Sequence, residues 1–133
     1  MKRALIDTNI LIYVTTENPF RERVKKILKK VEEVYVSTIT LIEYVLVCKY
    51  KFKLEDNVII NVVKTIEENS ILVDIFSEDL FNALNLSKKY NISLKEINDL
   101  ILISIAKRLK LSLFTFDKKL REIAKKEGLE LLD

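Results

Sequence analysis

The chain has no histidine and no tryptophan, and only one residue each of glycine, proline, cysteine and methionine among 133. Each scarcity excludes something. Without histidine there is no Ser-His-Asp triad, no Cys-His dyad, no His-ligated zinc and no RNA cleavage by paired imidazoles. Acid–base or metal chemistry must then run on carboxylates, hydroxyls, lysine, tyrosine or water. One cysteine, Cys48, cannot form an intrachain disulfide and suits a reducing compartment, so a cytoplasmic location is expected. So little Gly and Pro, with 49% apolar residues, rules out a disordered, collagen-like or linker-rich chain. No apolar run approaches the ~20 residues that cross a bilayer. Met1-Lys2-Arg3 leads straight into a strand-like segment, without the longer apolar core and cleavage site of a signal peptide.

What is present is an alternation of short β-like runs with longer helical ones. Lys2–Asp7, Val34–Ser37, Ile71–Asp74 and Ser112–Phe116 read as strands, and Leu129–Leu132 as a fifth, edge strand. Between them lie helices over Thr8–Val14, from Asn18-Pro19 to about Val31, over Thr38–Tyr50 and over Leu54–Glu68. Three more run from Ser77 to Tyr90, from the capping box Ser93-Leu94-Lys95-Glu96 to about Lys110, and over Asp117–Glu127, with Gly128 at its C′ position. This order predicts an α/β fold of three α/β/α layers around a mostly parallel sheet of about five strands.

Four acids stand at the ends of these elements or just inside them. Asp7 closes the first strand and Asp117 the fourth, while Glu43 and Asp99 interrupt apolar helices near their first turns. Each has a bland reading. Asp7 and Asp117 suit N-caps, Glu43 completes a possible capping box with Thr40, and Asp99 favours the positive end of its helix. In an open parallel sheet, however, sites gather beyond the carboxyl ends of the strands, where all four acids converge. Two carboxylates about 4 Å apart repel by roughly 4 kcal/mol at an effective dielectric near 20. Some must protonate, or divalent cations must neutralise them. Oxygen-only ligands favour Mg²⁺ or Mn²⁺, ions able to activate water and stabilise a phosphodiester undergoing displacement.

The set Asp7-Thr8-Asn9, Glu43, Asn98-Asp99 and Thr115-Phe116-Asp117, in this order on these elements, resembles the PIN domain, and the resemblance spans residues 1–133 as one domain. It implies a Mg²⁺- or Mn²⁺-dependent endoribonuclease whose acidic quartet, metal-binding and catalytic, is Asp7, Glu43, Asp99 and Asp117. It implies supporting roles for Asn9 and Thr115. At this length the chain most resembles VapC-type toxins, which pair as homodimers and bind an antitoxin protein. A housekeeping nuclease of RNA processing or decay and a silent RNA- or protein-binding module are the alternatives. Many members carry a further acid two residues after the last Asp; Lys119 stands there, which argues for one firmly held metal rather than two.

The net charge is only +3, so distribution matters more than total. Basic residues recur in small groups, among them Lys25, Lys26, Lys29 and Lys30, whose default reading is a solvated helix face. Lys118, Lys119 and Arg121 are the best candidates for contacting an RNA backbone, because they begin beside Asp117. Tyr44, Val45, Leu46, Val47, Tyr50 and Phe52, with Val58–Val63, form more apolar surface than one sheet face needs, which reads as core or as an interface. A phosphatase of the haloacid dehalogenase type needs a second Asp where Asn9 stands. A response-regulator receiver wants adjacent acids near the first strand end.

Overall fold

The structure, a computed structural model, describes residues 2–133. Its four strands, β1 (Arg3–Ile6), β2 (Glu33–Ser37), β3 (Ile71–Val73) and β4 (Ser112–Phe114), form one parallel sheet in the order β3-β2-β1-β4. Seven α-helices connect them: α1 (Thr8–Thr15), α2 (Arg21–Leu28), α3 (Thr38–Tyr50), α4 (Asp56–Asn69), α5 (Ser77–Tyr90), α6 (Ile97–Leu109) and α7 (Lys118–Lys126). No helix among the described residues is long and apolar enough to cross a membrane.

Side chains alternate across a strand, and β1 divides its apolar residues accordingly. Leu5 joins Leu113, Ile103, Ile105 and Leu120 in the core under α5, α6 and α7. Ala4 and Ile6 join Phe114, Val36, Ile10, Val24 and Tyr44 in the core under α1 to α4. Helices therefore cover both faces, giving the expected three layers. Helix α6 is buried on every side from Leu100 to Ala106, which explains why its sequence shows so little amphipathic contrast.

The sheet has four strands rather than about five. Leu129–Leu132 contributes one bridge, Leu113 to Leu131, with Leu113 N–H donating to Glu130 O and Leu132 N–H to Leu113 O. The chain is then drawn away, since Arg121 donates to Leu132 O and pairs with Asp133. The helix expected at Asn18-Pro19 begins three residues later, at Arg21. The Asn18 amide donates to Tyr13 O and Thr16 O while its Oδ1 accepts from Phe20 N–H, so residues 18–20 form a turn held by this side chain. Ser93 caps a single 3-10 turn, Leu94–Glu96, from which α6 follows. Gly128 takes φ +80° just beyond α7, as its C′ position requires.

From β1 the chain builds outward to β2 and β3, then returns to place β4 on the other side of β1. The order reverses between β1 and β4. This opens a crevice beyond their carboxyl ends, where ligands of such sheets bind.

Candidate active site at the sheet switch point

Asp7 and Asp117 flank this crevice because each is the first residue after a switch-point strand or its short extension. Asp7 N–H continues the β1–β4 pairing by donating to Phe114 O at 3.0 Å. Its carboxylate is fixed on both oxygens: Oδ1 accepts from Thr8 N–H at 2.7 Å, and Oδ2 accepts from Thr115 Oγ1 at 2.7 Å and from Asn9 Nδ2 at 3.4 Å. Asn9 also reaches Thr115 Oγ1, and Asp117 N–H donates to that hydroxyl at 3.1 Å. Thr115, fully buried, thus ties the two strand-end acids together.

Asp7 and Asp117 are also the N-caps of α1 and α7, Asp117 Oδ1 accepting from Leu120 N–H at 3.0 Å. Capping occupies one oxygen of each and leaves the other toward the crevice or its neighbours. The cap and rim readings therefore coexist. For Glu43 they do not. The cap of α3 is Ser37, which accepts from Ile39 N–H, so Glu43 lies in the second turn and closes no capping box. Its Oε1 accepts from Thr8 Oγ1 at 3.1 Å and its Oε2 from Asn98 Nδ2 at 3.3 Å, joining α1, α3 and α6 across the crevice. Thr8 and Asn98 were legible only as neighbours of Asp7 and Asp99, and their task is to orient Glu43.

Asp99 stands in the first turn of α6, half-buried. Burial, then the negative charges of Asp7, Asp117, Glu43 and Glu96, push its carboxyl up to about 7, and no hydrogen bond offsets them among the described residues. Burial likewise raises Asp7, against the lowering effect of its bonds from Thr115 and Thr8; Glu43 and Asp117 raise it further. These mutual effects bring all four expected acids into one electrostatic neighbourhood. Among the described residues, no cationic side chain forms an ion pair with any of the four.

The donor chemistry fits a hard divalent ion. Four carboxylates offer oxygen atoms of the kind such an ion takes, and among the described residues three hydrogen bonds occupy the Asp7 carboxylate. Asn9 Oδ1 is buried beside them without a partner. Among the described residues, no three acids are gathered tightly enough to enclose an ion by themselves. An ion held here would take waters or substrate oxygens to complete its shell.

The basic residues expected near Asp117 separate into different tasks. Lys118 opens α7 on the exposed side. Lys119 pairs with Glu96 at 3.1 Å, linking α7 to the turn before α6. Arg121 binds Thr115 O and Leu132 O, each at 3.0 Å, and pairs with Asp133. These bonds clamp the C-terminal segment onto the strand that carries the site.

Comparison with known proteins bears on the fold and the family. No curated protein matches the chain. Among solved structures, a VapC toxin of Mycobacterium tuberculosis, described as cleaving the sarcin–ricin loop, is 9% identical with a TM-score of 0.75, over 90% of this chain and 93% of that one. VapBC-1 of nontypeable Haemophilus influenzae is 23% identical with a TM-score of 0.70, over 98% and 97%. FitAcB of Neisseria gonorrhoeae is 22% identical with a TM-score of 0.70, over 98% and 96%. These likenesses establish the fold. The PIN domain model matches residues 4–126, and the chain belongs to that family.

Proposed function

We propose that the chain is a divalent-cation-dependent endoribonuclease and the toxin of a VapBC-type toxin–antitoxin pair. The observation that carries this reading is the uncompensated acidic rim, with Asp99 raised to about 7 by burial and by the charges of Asp7, Asp117, Glu43 and Glu96. Asp7, Asp99 and Asp117 are the metal ligands, with Glu43 completing the catalytic set directly or through water. Asn9 and Thr115 hold Asp7 in place, as their hydrogen bonds suggest. Thr8 and Asn98 do the same for Glu43.

Mg²⁺ or Mn²⁺, when bound, supplies a Lewis acid that makes water nucleophilic and offsets charge on the attacking and leaving oxygens. The chain contributes position. Thr115 and Thr8 N–H fix both oxygens of Asp7, and the Thr8 and Asn98 side chains keep Glu43 from turning outward. Near neutral pH the Asp99 carboxyl holds a proton part of the time, and it would give that proton up on ligating a cation. Lys118 and Lys119 offer positive charge at the mouth, where an anionic strand approaches carboxylates. The Lys119–Glu96 pair is exposed and so worth little to stability, which leaves the ammonium free to exchange onto a phosphate.

The toxin assignment is supported by the relatives in solved structures, described as toxins or toxin–antitoxin complexes. Ile42 at 60% exposure, Leu46 at 50% and Tyr50 at 73% form an apolar stripe on α3 that suits a homodimer or antitoxin contact. Such a protein acts in the cytoplasm.

The test is cleavage of a fluorescent RNA by the wild type and by Asp7→Asn, each with Mg²⁺ and with EDTA. Cleavage is expected only for wild type with Mg²⁺, with the variant slower on the order of 10²-fold or more. Growth arrest on induced expression, lost in the same variant, marks the toxin. Cleavage that survives the substitution or the chelator overturns the proposal.

A further inference from the structure

Next to the segment that carries Asp117 lies an aromatic and cationic surface, in which Tyr13 and Phe116 pack against the core and Phe20 is left exposed. The extended segment after β4 alternates: Thr115 and Asp117 serve the rim, while Phe114 and Phe116 point to the other side. Phe116 contacts Phe114 edge-on at 5.6 Å between centroids. Above it, Tyr13 and Phe20 complete a triangle of rings, Tyr13 to Phe20 at 4.9 Å, Tyr13 to Phe116 at 5.7 Å and Phe20 to Phe116 at 6.1 Å. Phe20 is 44% exposed, although burying its ring would be worth about 2 kcal/mol. The Arg23 guanidinium sits 4.9 Å over the Phe116 ring.

Arg23 belongs to the most basic stretch of the chain. Between residues 21 and 30, Arg21, Arg23, Lys25, Lys26, Lys29 and Lys30 face a single acid, Glu22, in a protein whose net charge is only +3. Arg21 and Lys25 lean on Glu17 and Glu22 at exposed positions, where such pairs are weak and yield to a stronger anion. A cationic track bearing an exposed aromatic ring is how single-stranded nucleic acid is held without sequence preference.

We propose that Phe20, backed by Tyr13 and Phe116, is a stacking platform for an unpaired base of the RNA strand. The cations of α2 hold that strand's backbone. This rests on reading the acidic rim as a nuclease site. It adds what that rim lacks, because four carboxylates repel the strand they act on. Phe116 lies between Thr115 and Asp117 in the chain, so the platform is built on the same segment that carries part of the rim. A base held in a duplex cannot leave its stack to reach the ring, so the platform takes an unpaired base of the RNA strand.

The experiment titrates mixed-sequence single-stranded oligoribonucleotides carrying 2-aminopurine with Asp7→Asn protein in Mg²⁺, which binds without cutting. Stacking on Phe20 is expected to quench the fluorescent base. Adding Phe20→Ala abolishes the quench and weakens binding about tenfold, while Phe20→Trp keeps both. Arg23→Ala weakens binding and makes it less salt-dependent. Unchanged quench and affinity in Phe20→Ala overturn the platform, as does equal affinity for an oligonucleotide with abasic sites. If Phe20→Ala instead weakens only self-association in sedimentation, the surface is a protein contact and the proposal fails. Wild-type cleavage of RNA alongside an indifferent Phe20→Ala removes the platform alone; no cleavage by wild type removes the nuclease reading with it.

Discussion

Helix α6 carries two buried acidic environments that behave in opposite ways. At its first turn is Asp99, with Asp7, Glu43 and Asp117 around it and no cation among them. About 13 Å further along, at the rise of an α-helix, Arg108 projects onto Asp79 of α5. Asp79 is fully buried, and burial alone would raise its carboxyl. Arg108, Phe76 N–H and Ser104 Oγ instead hold it below the usual carboxylate range. Arg108 grips it with Nε at 3.2 Å and a second nitrogen at 2.9 Å while its guanidinium stacks 4.1 Å over the Phe76 ring. Glu127 repeats the pattern: Tyr90, Lys107 and Lys89 hold it down to about 2 and so tie α5, α6 and α7 together.

Buried acids thus fall into two kinds. Those given their own cations lock helices, and their low pKa values report stability already gained. Those at the rim have hydroxyl, amide and backbone partners for Asp7, Glu43 and Asp117 and no hydrogen bond for Asp99 among the described residues, so they are not neutralised. Under the proposed function, a bound cation supplies the compensation that the rim lacks.

The largest expected effect breaks the compensated side. Arg108→Ala leaves Asp79 buried and unpaired, and urea denaturation is expected to show a loss of about 3 kcal/mol. If the loss is below about 1 kcal/mol, as for an exposed pair, the contrast between the two ends collapses.

A smaller effect, of opposite sign, is expected at the rim. Asp99 has a folded value of about 7 against 3.8 for the free group, so the folded state keeps a proton that the unfolded chain releases. Without divalent ions, its contribution to stability is greatest below pH 3.8 and is lost as pH rises toward about 7. Asp79 has the opposite slope, since its lowered value costs stability only as pH falls into the carboxylate range. Asp99→Asn is therefore expected to be more stable than wild type at pH 8 in EDTA, by about 1–2 kcal/mol after allowing for solvent screening. It also has a flatter profile between pH 4 and 7. Melting curves across this range check both.

The rim was legible in the sequence because its acids sit at positions with a general geometric meaning, the ends of parallel strands and the starts of the helices beside them. Glu43 was the least secure of them on local pattern. Its Thr40-Leu41-Ile42-Glu43 spacing mimicked a capping box, and only the tertiary bonds from Thr8 and Asn98 reveal its place. The Asp79–Arg108 lock left no local trace, because its partners lie on different helices and meet only through packing. Leu129–Leu132 had a strand's composition, but one bridge and the Arg121 clamp decide its path. The start of α2 was misplaced because Asn18 followed by Pro19 reads as cap and first turn, whereas its amide is spent on Tyr13 and Thr16.

Under the proposed function, the rim's charge awaits a divalent cation. Calorimetric titration of Mn²⁺ into the wild type at pH 7, repeated in buffers of different ionisation enthalpy, tests it most directly. With Asp99 near 7, binding is expected to release about half a proton per ion, and Asp99→Asn is expected to bind more weakly without that release. Absence of binding, or equal binding by both proteins with no proton released, would contradict the account.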